Sequence, residues 1–226
     1  MSGLQACLFD LDGVIVDTAK YHFIAWRQIA RELGVCFTER DNERLKGVSR
    51  QRSLDILLEI GGLAPDAATK ARLAERKNGI YLEYIRKLTP QELLPGAEAF
   101  LRYCRTAGLK TALATASRNS ALILDLLRIR SLFDVVVDGN RTTRTKPDPE
   151  VFLLCAQSLR VEPRRCAVFE DAEAGIAAAR AAGMFSVGIG DPAMLKDADI
   201  VAPGLASLSV EEVILALQPG MNRAAR

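Results

Sequence analysis

The chain has no apolar run long enough to cross a bilayer. Stretches such as Leu122-Ile123-Leu124 are far shorter than the roughly 20 residues a spanning helix needs. Residues 1–5 carry no basic segment, and the apolar run behind them meets Asp10 too soon for a signal peptide. Basic side chains are massed nowhere. Thirty Lys and Arg against 28 Asp and Glu leave a formal charge of +2, without the stripe or patch that nucleic acid calls for. The cysteines Cys7, Cys36, Cys104, Cys155 and Cys166 are odd in number, and none are paired in metal-ligand spacing, so reduced thiols in a cytoplasmic protein are expected. Internal repeats and low-complexity segments are absent as well. At 226 residues there is room for one large domain, or for one domain with a smaller insertion.

What is present is concentrated in residues 9–18, which read FDLDGVIVDT. The apolar run Ala6-Cys7-Leu8-Phe9 ends in Asp10, and a second carboxylate follows at Asp12. Side chains alternate along an extended chain, so positions 10 and 12 face the same way. Gly13 then permits a sharp turn. Two carboxylates are thus presented together where a buried strand meets a loop, the place where open α/β sheets bind ligands.

Short apolar segments predict strands at 6–9, 110–115, 135–138, 166–169 and 186–189. Helical patterns at 96–107, 120–129, 149–159 and 172–182 alternate with them, which predicts a parallel sheet covered on both faces. Between the first strand and residue 94 only helical periodicity occurs, at about 19–34, 38–46, 49–61 and 66–88, with Thr38 and Ser49 as N-caps and Gly34 and Gly61 as stops. The expected fold is therefore a doubly wound parallel, Rossmann-like α/β sheet core (1–17 and 90–226) with an inserted all-helical cap domain (18–89). The tail 219–226 is expected to fray.

Four groups far apart in sequence fall at the C-terminal ends of predicted strands: Asp10 with Asp12, the turn Thr115-Ala116-Ser117-Arg118-Asn119, Lys146 before Pro147, and Glu170-Asp171. The hydroxyl-rich turn opens a helix and could hold a phosphate there. Lys146 is a compact charge suited to a phosphoryl oxygen. A further pair of strand-end carboxylates suggests a hard divalent cation, Mg²⁺ being usual beside phosphate. Each group alone has a plainer explanation: helix capping for Ser117, Asn119, Glu170 and Asp171, and a solvated surface position for Lys146. Gathered on one sheet edge, they point to phosphoryl transfer.

In this order the motifs resemble the haloacid dehalogenase superfamily of phosphotransferases over nearly the whole chain. The resemblance implies that Asp10 is the nucleophile forming an aspartyl-phosphate and Asp12 the general acid/base. It implies Mg²⁺ held by Asp10, the backbone carbonyl of Asp12, Glu170 and Asp171, with Thr115, Ser117, Asn119 and Lys146 around the transferring phosphoryl group. It also implies a cis Lys146-Pro147 bond. The dehalogenases of the superfamily lack an acid at the second Asp, which argues against dehalogenation.

The segment Asp17-Thr18-Ala19-Lys20-Tyr21-His22-Phe23-Ile24-Ala25-Trp26, with Lys46-Gly47-Val48-Ser49-Arg50 and Arg76-Lys77-Asn78, resembles the cap of the β-phosphoglucomutase-like branch. That branch implies interconversion of β-glucose 1-phosphate and glucose 6-phosphate, with glucose 1,6-bisphosphate as primer and intermediate. Thr18 and His22 would join the catalytic set, His22 coupling cap closure to Asp12. Arg50 would grip the distal phosphate with help from Lys46 and Lys77. Trp26 would line the sugar pocket, and Gly47, Val48, Ser53, Ala116 and Arg118 would contribute to substrate binding. Read singly, His22 and Trp26 fit a helix core and the cap cations a solvated surface. Thr115 and Ala172 stand where relatives often carry Ser, and the basic loop 139–145 is read as solvated. A sugar-phosphate phosphatase with the same nucleophile, or a non-catalytic phosphosugar-binding protein, remains open at this point. A monomer is expected, because no helix shows a spare apolar stripe.

Overall fold

Ala6 to Phe9 are wholly buried, so this strand must be covered on both faces. In the computed structural model, which describes residues 3–45 and 47–217, it is the inner strand β1 (Ala6–Phe9) of a six-stranded sheet. The others are β2 (Lys110–Ala114), β3 (Val135–Val137), β4 (Cys166–Glu170), β5 (Phe185–Ile189) and β6 (Ile200–Ala202). All pairings are parallel, in the order β3-β2-β1-β4-β5-β6. The order reverses between β1 and β4, which opens a crevice above their C-terminal ends. Phe9 stands in register with Phe169, which brings Asp10 beside Glu170.

Alternation sorts β1 between two apolar layers. Ala6 and Leu8 face the layer of Phe152 and Ala178, from α7 (Glu150–Leu159) and α8 (Glu173–Ala181). Cys7 and Phe9 face the layer of Phe100 and Val213, from α5 (Ala97–Thr106) and α9 (Val210–Leu217). Phe9 stacks on Phe169 at 4.6 Å, and Phe100 meets Phe169 edge-on at 5.2 Å. Such aromatic contacts are worth about 0.5–1.5 kcal/mol each beyond area burial. Here they fix the two strand ends that carry Asp10 and Glu170.

Between β1 and β2 lie α1 (Ala19–Glu32), α2 (Glu39–Glu43), α3 (Arg50–Gly61) and α4 (Ala67–Ile85), ahead of α5. Only isolated bridges, Asp12 to Val16 and Val16 to Leu93, occur there among the described residues. Helix α1 packs on α4, and Trp26, Ile29, Leu57 and Tyr81 fill the space among the four helices. Thr38 caps α2 in a reciprocal box with Asp41, and Ser49 caps α3 through the Arg52 amide. The stop of α3 falls one residue later than expected: Gly61 is its last helical residue, and Gly62 takes the left-handed conformation (φ 63°).

Both β6 and α9 escaped the sequence reading. Both lie beyond the last clear strand–helix repeat, and β6 has only three residues. The seven-residue α6 (Ser120–Leu126) ends earlier than expected, and a separate short 3-10 turn follows at Arg130–Leu132. The tail 219–226 lies outside the described residues.

Candidate active site

Above the β1/β4 crevice the chain concentrates charge in little volume. Asp10 leaves β1 with its amide still bonded to the Phe169 carbonyl, and one carboxylate oxygen accepts the Asp12 amide at 3.0 Å. Lys146 reaches the site through a cis Lys146-Pro147 peptide. Its buried ammonium donates to Asp10 Oδ1 at 2.5 Å, to Glu170 Oε1 and to the Ala114 carbonyl at 3.2 Å. Burial alone would favour the neutral amine, but the Asp10 and Glu170 carboxylates outweigh it and hold Lys146 above the usual lysine range. Burial pushes the Glu170 carboxyl upward, and Lys146 offsets part of that push.

Desolvation, reinforced by the Asp10 charge, pushes Asp12 up to about 8. A carboxyl that keeps its proton near neutrality can donate it to a leaving oxygen. Thr18 sits at the N-terminal boundary of α1 but makes no capping bond; its hydroxyl donates to Asp12 Oδ1 and accepts from Tyr81 at 3.2 Å. A hydrogen-bonded chain thus runs from α4 to Asp12. Beside it, the Lys77 Nζ is hydrogen-bonded to His22 Nδ1 at 2.7 Å and lies 4.9 and 4.7 Å from the ring centres of Trp26 and Tyr81. Burial first, then Arg50, pushes Lys77 down to about 7, against the pull of Asp12. Burial and the neighbouring Lys77 hold His22 well below the ordinary histidine range, so its ring is neutral.

The turn after β2 is drawn tight by its own hydroxyls. Thr115 Oγ1 accepts from the Ser117 amide and Ser117 Oγ from the Asn119 amide, while Arg118 donates to the Gly139 carbonyl. Asn119 precedes α6 without capping it, contrary to the plain capping reading. Its side chain crosses instead to Asn78 on α4, which also receives Arg50.

These groups surround a cleft of about 320 Å³ between the sheet edge and the helices. Asp10, Asp12 and Asp171 form part of its floor, and Thr115, Ala116, Ser117, Arg118 and Asn119 one wall. His22, Trp26, Gly47, Val48, Arg50, Ser53 and Lys77 approach from the helical side. Trp26 is almost wholly buried, so it is a core residue with an edge on the cleft. Thr18, Lys146 and Glu170 lie behind this lining and act through Asp12 and Asp10. Lys46 lies outside the described residues. The sequence reading missed Tyr81 as a partner of Thr18 and Asn78 as the bridge. Asn78 belongs to the Arg76-Lys77-Asn78 motif, and Tyr81 falls one helical turn after Lys77. Arg76 of that motif points away, paired with Glu32 at 2.7 Å. In the basic loop, Arg144 pairs with Asp148 and Arg141 donates to the Val136 carbonyl, whereas Thr142, Thr143 and Thr145 line the cleft.

Among the described residues no three acidic, imidazole or thiol groups already converge as a metal cage, and Lys146 is the cation between Asp10 and Glu170. The donor chemistry nevertheless fits a hard divalent ion: the candidates are carboxylate and carbonyl oxygens. Space is kept for them. A Cβ on Gly13, whose φ is +78°, would overlap the Asp171 carboxylate, and one on Gly175 would overlap that of Glu170.

The model of the haloacid dehalogenase-like hydrolase family matches residues 4–183. The chain is 45% identical over 210 residues to a β-phosphoglucomutase of Bacillus subtilis, covering 92% of this chain and 93% of that protein. It is 34% identical over 184 residues to a phosphorylated carbohydrates phosphatase of Thermotoga maritima, covering 80% of this chain and 82% of the relative. Its fold superimposes on a crystal structure of β-phosphoglucomutase from Clostridium difficile with a TM-score of 0.92 at 40% identity, over 95% of this chain and 97% of that one.

Proposed function

The chain belongs to the haloacid dehalogenase-like hydrolase family, and from that premise we propose that it acts as a β-phosphoglucomutase, converting β-D-glucose 1-phosphate to glucose 6-phosphate. The observation that carries this reading is a single cleft holding the Asp10/Asp12 pair on one side and Arg50, Lys77 and His22 on the other. A phosphatase needs only the first set. The mutase relative at 45% identity, against 34% for the phosphatase, weighs the same way.

In this proposal Asp10 is the nucleophile and accepts the phosphoryl group as an aspartyl-phosphate. The phospho-Asp10 then passes the group to a sugar hydroxyl, giving glucose 1,6-bisphosphate. Asp12 removes the proton of the attacking hydroxyl and returns one to the leaving oxygen, steadied by Thr18 and Tyr81. Lys146 neutralises charge as carboxylate and phosphate meet, and Ser117 and Thr115 orient the phosphoryl oxygens. The intermediate turns over in the cleft and hands its other phosphate back to Asp10. Its distal phosphate is gripped by Arg50 with Lys77 beside it, and by Asn119, which was expected at the transferring phosphoryl group but shares the Asn78 oxygen with Arg50. Asp10, the Asp12 carbonyl, Glu170 and Asp171 would hold Mg²⁺, which supplies charge neutralisation between the two anions. Residues 18–89 serve as a cap that excludes water from phospho-Asp10 while a sugar hydroxyl is admitted.

We place the protein in the cytoplasm: the five cysteines are free, and four of them are buried. No described helix is long and apolar enough to cross a membrane. A monomer is proposed because the exposed large apolar side chains, Leu63, Tyr103, Leu153, Met194 and Leu215, come from five separate segments.

The test supplies β-glucose 1-phosphate, Mg²⁺ and a trace of glucose 1,6-bisphosphate, and follows glucose 6-phosphate and free phosphate together. Glucose 6-phosphate without matching phosphate is the expected result. Phosphate alone would make the protein a sugar-phosphate phosphatase.

A further inference from the structure

Asn78 is nine-tenths buried on α4 and holds its side-chain oxygen in the seam between helices and sheet. Arg50, the first residue of α3, donates to that oxygen at 2.7 Å, and Asn119, from the far wall, donates at 3.0 Å. Two features set this apart from a routine buried hydrogen bond. An asparagine before a helix ordinarily caps it, yet Asn119 forgoes its own helix to cross the cleft. The Arg50 side chain is 20% exposed, and its ion-pair partner among the described residues, Glu75, is 3.6 Å away and 77% exposed. A guanidinium drawn mostly out of water needs an acceptor, and the neutral Asn78 oxygen, at 2.7 Å, is the nearer one.

We propose that Asn78 is a placeholder: its amide oxygen takes the acceptor position of a substrate phosphate oxygen and keeps Arg50 and Asn119 converged until a phosphosugar displaces it. This rests on the reading of Arg50 and Asn119 as the distal phosphate grip. Neutrality is what makes the device work. The Arg50 bond to Asn78 has one ionised partner. A phosphate makes both partners ionised, adds charge–charge attraction and can engage the guanidinium fork twice, so its oxygen displaces the amide oxygen. Asn78 is therefore a positioning residue, with no part in the chemical step.

A carboxylate at this position would hold Arg50 against the incoming anion, so Asn78→Asp is the decisive variant. It keeps the shape of the side chain. We expect it to raise KM for β-glucose 1-phosphate at least tenfold while kcat, and turnover of acetyl phosphate, stay within twofold of wild type. Asn78→Ala removes the acceptor without adding charge. Its KM is expected to change less than threefold, with the ratio of free phosphate to glucose 6-phosphate at least doubled because the seam is no longer held.

A KM for Asn78→Asp within twofold of wild type would overturn the proposal. So would equal KM increases in both variants, which would mark a loss of packing or of a direct sugar contact. An unchanged product ratio in Asn78→Ala would overturn the holding role. Thermal melting checks that each variant folds, and if Asn78→Ala does not, Asn78→Asp decides. Should the wild type only hydrolyse its substrate, the mutase reading fails. The placeholder is then still tested by the KM of hydrolysis for β-glucose 1-phosphate against that for acetyl phosphate.

Discussion

Two buried lysines serve the same cleft, Lys77 in its lining and Lys146 behind it, and their surroundings send them opposite ways. Lys146, at the sheet edge, lies between Asp10 and Glu170 and is held above its ordinary range. Lys77, on the helical side, is caged by Trp26 and Tyr81 against a neutral His22, and it falls to about 7. Burial acts on both. What differs is the partner: two carboxylates in contact against rings and an imidazole, with Asp12 helping from farther off. At the sheet edge the cation is thus held between acids, whereas on the helical side Arg50 and Lys77 lie close enough to repel, a charge that an incoming dianion would complete.

Replacing the two lysines in turn tests this contrast most severely. Lys146→Met would leave two buried carboxylates without their cation, a loss of about 3–5 kcal/mol for a broken buried pair. Urea denaturation should show that loss, together with a loss of turnover. In phosphosugar turnover, Arg50→Ala should raise KM roughly 10- to 100-fold, the equivalent of a charged hydrogen bond worth about 1.5–3 kcal/mol. Phospho-Asp10 formation from acetyl phosphate should persist. Loss of both activities together would mean that Arg50 supports the whole site rather than the helical side.

Lys77→Met should go the other way from Lys146→Met. Relief of an uncompensated buried charge is offset by the lost bond to His22, which leaves the variant within about 2 kcal/mol of wild type and on the stabilised side. A destabilisation as large as that of Lys146→Met would erase the contrast. The dependence on pH sharpens it. In the unfolded chain Lys77 keeps its proton to about 10.5, in the folded protein only to about 7. Between those values the unfolded state binds more protons, so this residue makes stability rise with pH. Urea midpoints measured from pH 7 to about pH 10 should show the advantage of Lys77→Met over wild type shrinking. A constant gap would mean Lys77 does not titrate in that window. The smallest effect belongs to Arg76→Ala, which breaks an exposed pair with Glu32. No measurable change in Tm or KM is expected, because exposed ion pairs contribute little.

The sheet edge was legible because its signals are local. An apolar run ending in Asp10, a second carboxylate two residues on and a glycine after it specify strand, loop and paired acids within eight residues. The same holds for Glu170-Asp171 behind β4 and for the turn behind β2. The helical side was legible as helices, through Thr38, Ser49 and the apolar period, but its wiring was not. Tyr81 bonds Thr18 across 63 residues, and Asn78 meets Asn119 across 41. No period or spacing announces such pairs. The arginines of loop 139–145 read as solvated; Arg144 is exposed but paired with Asp148 and Glu150, and Arg141 donates to the Val136 carbonyl. The loop's place on the cleft wall, through its threonines, could not be read from charge.

By itself the sequence determined the parallel α/β core, the helical insertion and the four strand-end groups, because backbone periodicity and turn chemistry act over a few residues. Only the tertiary structure decided which lysine keeps its proton, which asparagine leaves its helix uncapped, and which oxygen Arg50 holds. Those outcomes depend on charges and donors a few ångströms apart in space but tens of residues apart in the chain.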